Sequence, residues 1–327
     1  MLNAMTARQP RFIQLYRADA AAERNAAIAA LMEEPARASP KYFYDRLGSH
    51  LFDAITELPE YYPTRTEAGI FAAHGAEMAR LIGGGATFVD LGAGNCAKAA
   101  KLLPLLDPAR YVAVDISADY LHDALRHLQR EQPQLDMVGV GMDFTASTAL
   151  PAAVLGAGVR PVFFYPGSSI GNFGPAEAQH FLEGVCAQAR GGGLLIGVDL
   201  VKREDTLCAA YDDALGVTAA FNLNLLRHLN RSIGSDFEPH DWRHVALFDA
   251  AKSRIEMHLE ARDGVTVHWP DGQRRFAAGE RIHTENSYKY TVDSFRALLA
   301  RAGFGRTRCW TDANAAFAVF WAGGPAH

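Results

Sequence analysis

The sequence predicts a doubly wound α/β fold with a second lobe spliced into it, and three observations carry that expectation. The first is a set of short apolar runs, TFVDLGAG, YVAVDIS, DMVGVGMDF, VFFYPGSSIGNF and LLIGVDLV, separated by helical stretches. Runs that are apolar at consecutive positions suit strands buried on both faces, as in a parallel sheet covered by helices. The second is the turn Asp90-Leu91-Gly92-Ala93-Gly94 after the first run, where backbone without Cβ atoms can approach a ligand at the start of a helix. The third is that the alternation stops after Lys202 in a chain of 327 residues, longer than one average domain.

Taken in order, residues 19–33 are Ala-rich and read as a helix ended by Pro35, and Ser39-Pro40 opens a new segment. In KYFYDRLGSHLFDAITELPEYYPTRTE, Ser49 caps a short helix carrying Leu51, Phe52 and Ile55. Thr64 and Glu67 have capping-box spacing for a helix through Met78 and Leu81, with Tyr61, Tyr62 and Pro63 as the loop between. After Lys202 a helical region, Leu207 to Leu229, precedes RIEMHLEAR, VTVHW and RFAAGERIHTENSYKY, which read as antiparallel strands. The end reads helix, strand, turn, strand, and those last strands can rejoin the sheet as its antiparallel edge. The expected organisation is therefore a sheet domain from 66–202 and 290–327 and a discontinuous lobe from 10–65 and 203–289.

Composition narrows the function classes. Hydrophobic residues make up 49% and charged ones 21%, with a net charge of −5 and no Lys/Arg block, so neither a nucleic-acid nor an anionic-membrane partner is expected. No obligate protein partner is evident either. Met1 to Leu15 lacks the apolar core of a secretory signal and no stretch has membrane-spanning length, so the protein is expected to stay in the cytoplasm. Cys96, Cys186, Cys208 and Cys309 stand far apart and read as free thiols. His240 and His244 could share a helix face, but no third ligand stands nearby and no metal is expected.

The glycine turn leaves two cofactors open. Gly92-x-Gly94-x-x-Ala97 satisfies the relaxed dinucleotide fingerprint, and Asp115 stands where a ribose-binding carboxylate belongs for NAD and for S-adenosylmethionine alike. A plainer role is a tight turn for the glycines and a helix cap for Asp115. Three features favour S-adenosylmethionine. Lys98 could pair with the carboxylate of the ligand's methionine part, or stay solvated. Asp143-Phe144 places an acceptor for an adenine amine beside an aromatic face, or Asp143 caps the next helix. Gly167-Ser168-Ser169-Ile170-Gly171-Asn172 ends the fourth strand, at the sheet edge where such folds place their ligand.

The strings KYFYDRLGS, LPEYYPTRTE, PGSSIGNF, VDLVK, AYDDALGVTAAFN, RIEM and TENSYKY, in this order from about Lys41 onward, resemble the histidine-specific Nα-methyltransferases of ergothioneine biosynthesis. The resemblance implies a Rossmann-like S-adenosylmethionine-dependent methyltransferase sheet, a substrate-binding lobe, and methylation of L-histidine repeated to its trimethylated betaine. By position it implies that Gly92, Lys98, Asp115, Asp143 and Phe144 contact the methyl donor. Tyr61, Asn172 and Tyr211 would hold the substrate's carboxylate and amine, and Met257, Glu285 and Ser287 would surround its side chain. Tyr44 would line the donor and amine region. Ser169 replaces a threonine of some relatives and keeps the hydroxyl, while Asn286-Ser287-Tyr288 departs from their apolar or smaller neighbours.

Residues two apart on a strand face the same way, so Glu285 and Ser287 project together. A carboxylate beside a hydroxyl suits the two nitrogens of an imidazole, although a solvated strand face shows the same alternation. Phenol hydroxyls of Tyr61 and Tyr211 can donate to a carboxylate or simply pack, and Asn172 can orient an amine or close a turn. Tyr44 and Met257 suit a core equally well. Competing functions are a related methyltransferase acting on tryptophan or a thiol-histidine, an NAD-dependent oxidoreductase, and a ligand-binding protein without catalysis.

Overall fold

The computed structural model describes residues 8–15, 19–156, 158 and 160–326, so the reading of Met1 to Leu15 lies partly outside the described residues. Contacts divide the chain into two units: Met1–Arg17, Pro63–Leu200 and Tyr290–His327 form one, and Ala18–Tyr62 with Val201–Lys289 the other. They are called the sheet unit and the lobe below.

The sheet unit holds eight strands in the order Arg11–Gln14, Asp136–Gly141, Arg110–Asp115, Thr87–Leu91, Pro161–Tyr165, Gly193–Asp199, Phe317–Gly323, Thr307–Thr311. The first six are parallel and the last two antiparallel to their neighbours. Thr87–Leu91, Pro161–Tyr165 and Gly193–Asp199 are buried at every position, which is why their apolar residues run consecutively. Alternate residues feed two cores. Val89, Val112, Phe163, Leu194 and Phe320 pack with Leu182 and Leu298 on one face, and Phe88, Tyr111, Phe164, Leu195 and Val319 with Met78 and Leu102 on the other. From Thr87–Leu91 the chain winds outward one way, then returns and winds the other way from Pro161–Tyr165. The carboxyl ends of these two neighbours mark the switch point where doubly wound folds bind ligands.

Residues 11–14, grouped with the lobe by the sequence reading, pair instead with Asp136–Gly141 in the sheet unit. Glycine makes this possible, because a Cβ on Gly139 would stand 2.6 Å from the Phe12 ring and one on Gly141 2.1 Å from Gln14. Arg11 and Arg110 both donate to Asp136 and tie the edge strand down.

In the lobe, helices Ala20–Leu31, Arg46–Thr56, Glu204–Tyr211 and Val217–Ile233 accompany a four-stranded sheet ordered Ala36–Arg37, Arg281–Tyr288, Arg254–Ala261, Trp242–Asp249. Val265–Trp269 and Gly272–Phe276 form a separate hairpin. Ser49 does not cap its helix; Asp45 does, accepting from the Gly48 N–H at 2.8 Å, four residues earlier than expected. The helix Tyr62–Ile82 likewise starts before Thr64, with Pro63 in a first turn that needs no donor from it. His244 sits on the strand Trp242–Asp249, not on a helix. Its ring accepts from Asn222 at 2.8 Å and donates to the Tyr211 carbonyl at 2.7 Å, so both nitrogens serve the fold. Among the described residues no cluster of His, Cys, Asp and Glu could hold a metal, the cysteines are free, and no helix is long and apolar enough to cross a membrane.

Candidate active site

In the sheet unit, Gly92 and Gly94 take positive φ angles of 72° and 52°, a conformation that favours glycine. A Cβ on Gly92 would stand 3.4 Å from the Phe144 ring, whereas nothing lies within 4 Å of the Cβ position at Gly94, leaving that backbone open to a ligand. Asp115 binds this turn to the end of its own strand: one oxygen accepts from the Gly94 N–H at 2.9 Å and the other from Ser117 N–H at 2.8 Å. Burial raises its pKa, and the bonds from Ser117 and Gly94 oppose the rise. Each carboxylate oxygen keeps a second lone pair for ribose hydroxyls.

Asp143 caps no helix. One of its oxygens accepts from the N–H groups of Thr145 and Ala146, at 3.0 and 3.3 Å, and closes a turn that presents Phe144 edge-on to Tyr165. Under the glycine turn, Asp90 is 2% exposed and receives the Tyr111 hydroxyl at 2.8 Å on one oxygen. Its other oxygen has no hydrogen-bond partner among the described residues. Burial pushes this carboxyl up to about 7, with the Tyr111 hydrogen bond opposing. An open glycine backbone, the acceptors Asp115 and Asp143 and an unsatisfied acid below the turn fit a ligand built of ribose, adenine and an amino-acid end.

Lys98 keeps part of its side chain in solvent but is not isolated. Its ammonium donates to Glu67 at 2.7 Å, and the other Glu67 oxygen accepts from the Gly167 N–H at 2.8 Å. Glu67 thereby joins the helix that follows Thr87–Leu91 to the loop that follows Pro161–Tyr165. It is 1% exposed and lies over Gly197, where a Cβ would come within 1.9 Å of its carboxylate. The sequence reading misses this residue as part of the site. The signal was present, since Glu67 shares a helix face with Ile70, Phe71 and Met78, all buried. In the same loop Ser168 accepts from the Asp199 N–H at 2.8 Å, Ser169 donates to the Pro166 carbonyl, and Asn172 ends the short turn Ser169–Asn172.

In the lobe, Glu285 and Ser287 are buried on one strand face, paired across the sheet with Met257 and Ile255. Asn286 and Tyr288 point the other way, to His283 and Arg254. The Tyr211 hydroxyl lies 2.7 Å from the Ser287 hydroxyl, and Lys289 donates to Tyr211 at 3.0 Å and to Ser287 at 2.8 Å. Lys289 is 4% exposed and was also missed, although residues 285, 287 and 289 follow one alternation. Burial pushes the Glu285 carboxyl up to about 8, with the Lys289 charge opposing. Ring contacts run from Tyr44 to Phe52, Tyr61 and Tyr211 at centroid spacings of 6.0, 6.2 and 6.4 Å. The lobe thus gathers Tyr61, Tyr211, Met257, Glu285 and Ser287, while Tyr44 also packs against Phe221 in the core.

Fold and site together define an enzyme that takes a nucleoside-bearing cofactor at the carboxyl ends of a doubly wound sheet. Residues 23–323 match the model of the histidine-specific, SAM-dependent methyltransferases, and the chain belongs to that family. It is similar to the histidine N-alpha-methyltransferase of Mycolicibacterium smegmatis, 42% identical over 90% of this chain and 93% of that one. The protein of the same name from Mycobacterium tuberculosis is 41% identical over 86% and 88%. Ergothioneine biosynthesis protein 1 of Neurospora crassa is 31% identical over 83% of this chain but 31% of its own length. The cofactor is accordingly S-adenosylmethionine, and the NAD reading falls away.

Proposed function

We propose that the enzyme transfers methyl groups from S-adenosylmethionine to the α-amine of L-histidine, repeated to the trimethylated betaine, as a step of ergothioneine biosynthesis. The observation that carries the choice of amino acid is that Glu285 and Ser287 are both buried on one face of a strand, a carboxyl and a hydroxyl whose chemistry suits the two ring nitrogens. The names of the relatives support the same reaction.

The donor supplies an electrophilic methyl group on a sulfonium. Asp115 holds the ribose, Asp143 and Phe144 the adenine, and Lys98 the carboxylate of the donor's methionine part. Asn172 accepts from the substrate amine and directs its lone pair, so that alignment rather than a strong base supplies much of the acceleration. Tyr61 donates to the substrate carboxylate without adding a charge.

Incubation with labelled donor and each of the twenty amino acids, followed by mass analysis, tests the proposal. Label on histidine and a product heavier by three methyl groups are expected; label on another amino acid alone overturns it. For the donor site, Asp115→Asn is expected to weaken S-adenosylhomocysteine about tenfold by calorimetry, the equivalent of ~1.4 kcal/mol. The amide loses the charge and turns one donor toward the N–H groups of Gly94 or Ser117. Unchanged affinity would remove Asp115 from the donor site.

A further inference from the structure

His244 stands at the centre of a hydrogen-bond chain inside the lobe. It lies opposite the buried Leu259 in the lobe sheet and so shares the face against which helix Val217–Ile233 packs. Asn222, on that helix, is fully buried, and its amide nitrogen donates to the His258 carbonyl at 3.0 Å and to His244 Nδ1 at 2.8 Å. His244 Nε2 in turn donates to the carbonyl of Tyr211 at 2.7 Å, at the end of helix Glu204–Tyr211.

Both ends of this chain are backbone carbonyls, which only accept, and that fixes every proton between them. The His258 carbonyl requires the nitrogen of Asn222, because the amide turned over would set its own oxygen against that carbonyl. The second N–H of the same nitrogen then meets a bare Nδ1, and the Tyr211 carbonyl requires Nε2 to carry the ring proton. An imidazolium would oppose N–H to N–H at Asn222, so the ring is neutral. Burial pulls the His244 pKa below its ordinary value, with the Tyr211 bond and the charges of Asp212 and Asp213 opposing.

The chain carries a cost that a core alone does not need. The Asn222 oxygen is buried without a hydrogen-bond partner among the described residues, and an apolar side chain there would pack without that penalty. What the chain secures is a helix end, where the final carbonyls lack partners within the helix and an outside donor fixes the course of the last residue. That residue is Tyr211, whose hydroxyl lies 2.7 Å from that of Ser287.

We propose that His244, kept in its Nε2–H form by Asn222, is a positioning residue that anchors the end of helix Glu204–Tyr211 and holds the Tyr211 phenol in place for substrate binding. The inference rests on the reading of the lobe as the histidine site and adds to it two residues that act through a third.

Two substitutions separate the two ring nitrogens. Asparagine reaches only as far as Nδ1 and can still accept from Asn222, whereas glutamine extends an amide N–H to the Nε2 position. His244→Asn is expected to raise KM for L-histidine about tenfold with a smaller change in kcat, and His244→Gln about threefold or less, with S-adenosylhomocysteine affinity near wild type in both. Equal losses in the two variants, a wild-type KM in His244→Asn, or a parallel loss of donor affinity overturns the anchoring role.

A double-mutant cycle with Tyr211→Phe tests whether the effect passes through the phenol. In the Tyr211→Phe background His244→Asn is expected to cost little more in kcat/KM for histidine, since the group it positions is gone. The same loss in both backgrounds assigns His244 to the fold alone and overturns the proposal. Should His244→Asn fail to fold, the imidazole nitrogen NMR shifts of the wild-type protein decide: a protonated Nε2 and a bare Nδ1 are expected near neutral pH, and a protonated Nδ1 excludes the chain. Failure of the histidine reading looks different, because there the wild-type enzyme places no label on histidine at all.

Discussion

Above about pH 8, where the Glu285 carboxyl is ionised, Glu285→Ala is expected to lower kcat/KM for L-histidine by roughly 10- to 100-fold, the loss of a charged hydrogen bond of about 1.5–3 kcal/mol. The same change should leave leucine or phenylalanine nearly unaffected, because their side chains have no N–H to give a buried carboxylate. Discrimination collapses from the histidine side. Competition at subsaturating substrate among wild type, Glu285→Ala and Ser287→Ala reads the effect directly. Equal preference for histidine in all three would move the side-chain pocket away from this strand.

The same carboxyl carries a pH signature. Burial holds Glu285 at about 8, so below that pH it is largely protonated and poorly placed to accept a ring proton. The ratio of kcat/KM between wild type and Glu285→Gln should therefore rise as pH passes upward through about 8. Deprotonation of the substrate amine affects both enzymes and cancels in the ratio. Stability runs the other way: a carboxyl whose pKa is raised on folding costs stability as pH climbs from its ordinary 4.5 toward about 8. Glu285→Gln should gain in melting temperature relative to wild type over that window, and a flat difference would mean that the carboxyl titrates normally.

Glu67→Ala is expected to be the most damaging change in the sheet unit. It strips Lys98 of its partner and leaves the Gly167 N–H without its acceptor, a loss of about 2–4 kcal/mol for a charged hydrogen bond and an unsatisfied buried donor. In a unit of this size that corresponds to a fall in melting temperature of roughly 5–15 °C. Donor affinity should fall with it, since Lys98 and the 167–172 loop lose their common anchor. Glu67→Gln keeps an acceptor for Gly167 and should lie between. Wild-type melting in both variants would show that the bridge contributes nothing.

How much of this could be read beforehand depended on whether the cause was local. The buried strands were legible because burial on both faces leaves an uninterrupted apolar run, and the alternation at Glu285 and Ser287 because a strand enforces it. The edge strand Arg11–Gln14 was not, since the space it fills is made by Gly139 and Gly141 more than a hundred residues away. Glu67 has the spacing of a capping box, and only tertiary context turns it inward to Lys98 and Gly167. Lys289 obeys the alternation, but a lysine is the residue least expected in a core, and its partner Tyr211 comes from a distant helix. Asp45 outcompeted Ser49 as a cap because Gly48, whose Cβ would stand 1.6 Å from the Phe43 carbonyl, lets the chain turn earlier.

The antiparallel strand Phe317–Gly323 has a consequence for how the chain is made. It lies between Gly193–Asp199 and Thr307–Thr311, and Trp321 and Phe320 close over strand partners some 125 residues earlier. During synthesis every residue of the lobe is added before that strand, so the lobe can begin to fold while Gly193–Asp199 still presents an open hydrophobic flank. Only the final hairpin covers it. A released chain truncated after Lys289 should therefore hold a protease-resistant lobe beside an uncapped sheet that chaperones recognise, and the capacity to bind the methyl donor should appear only with the final hairpin.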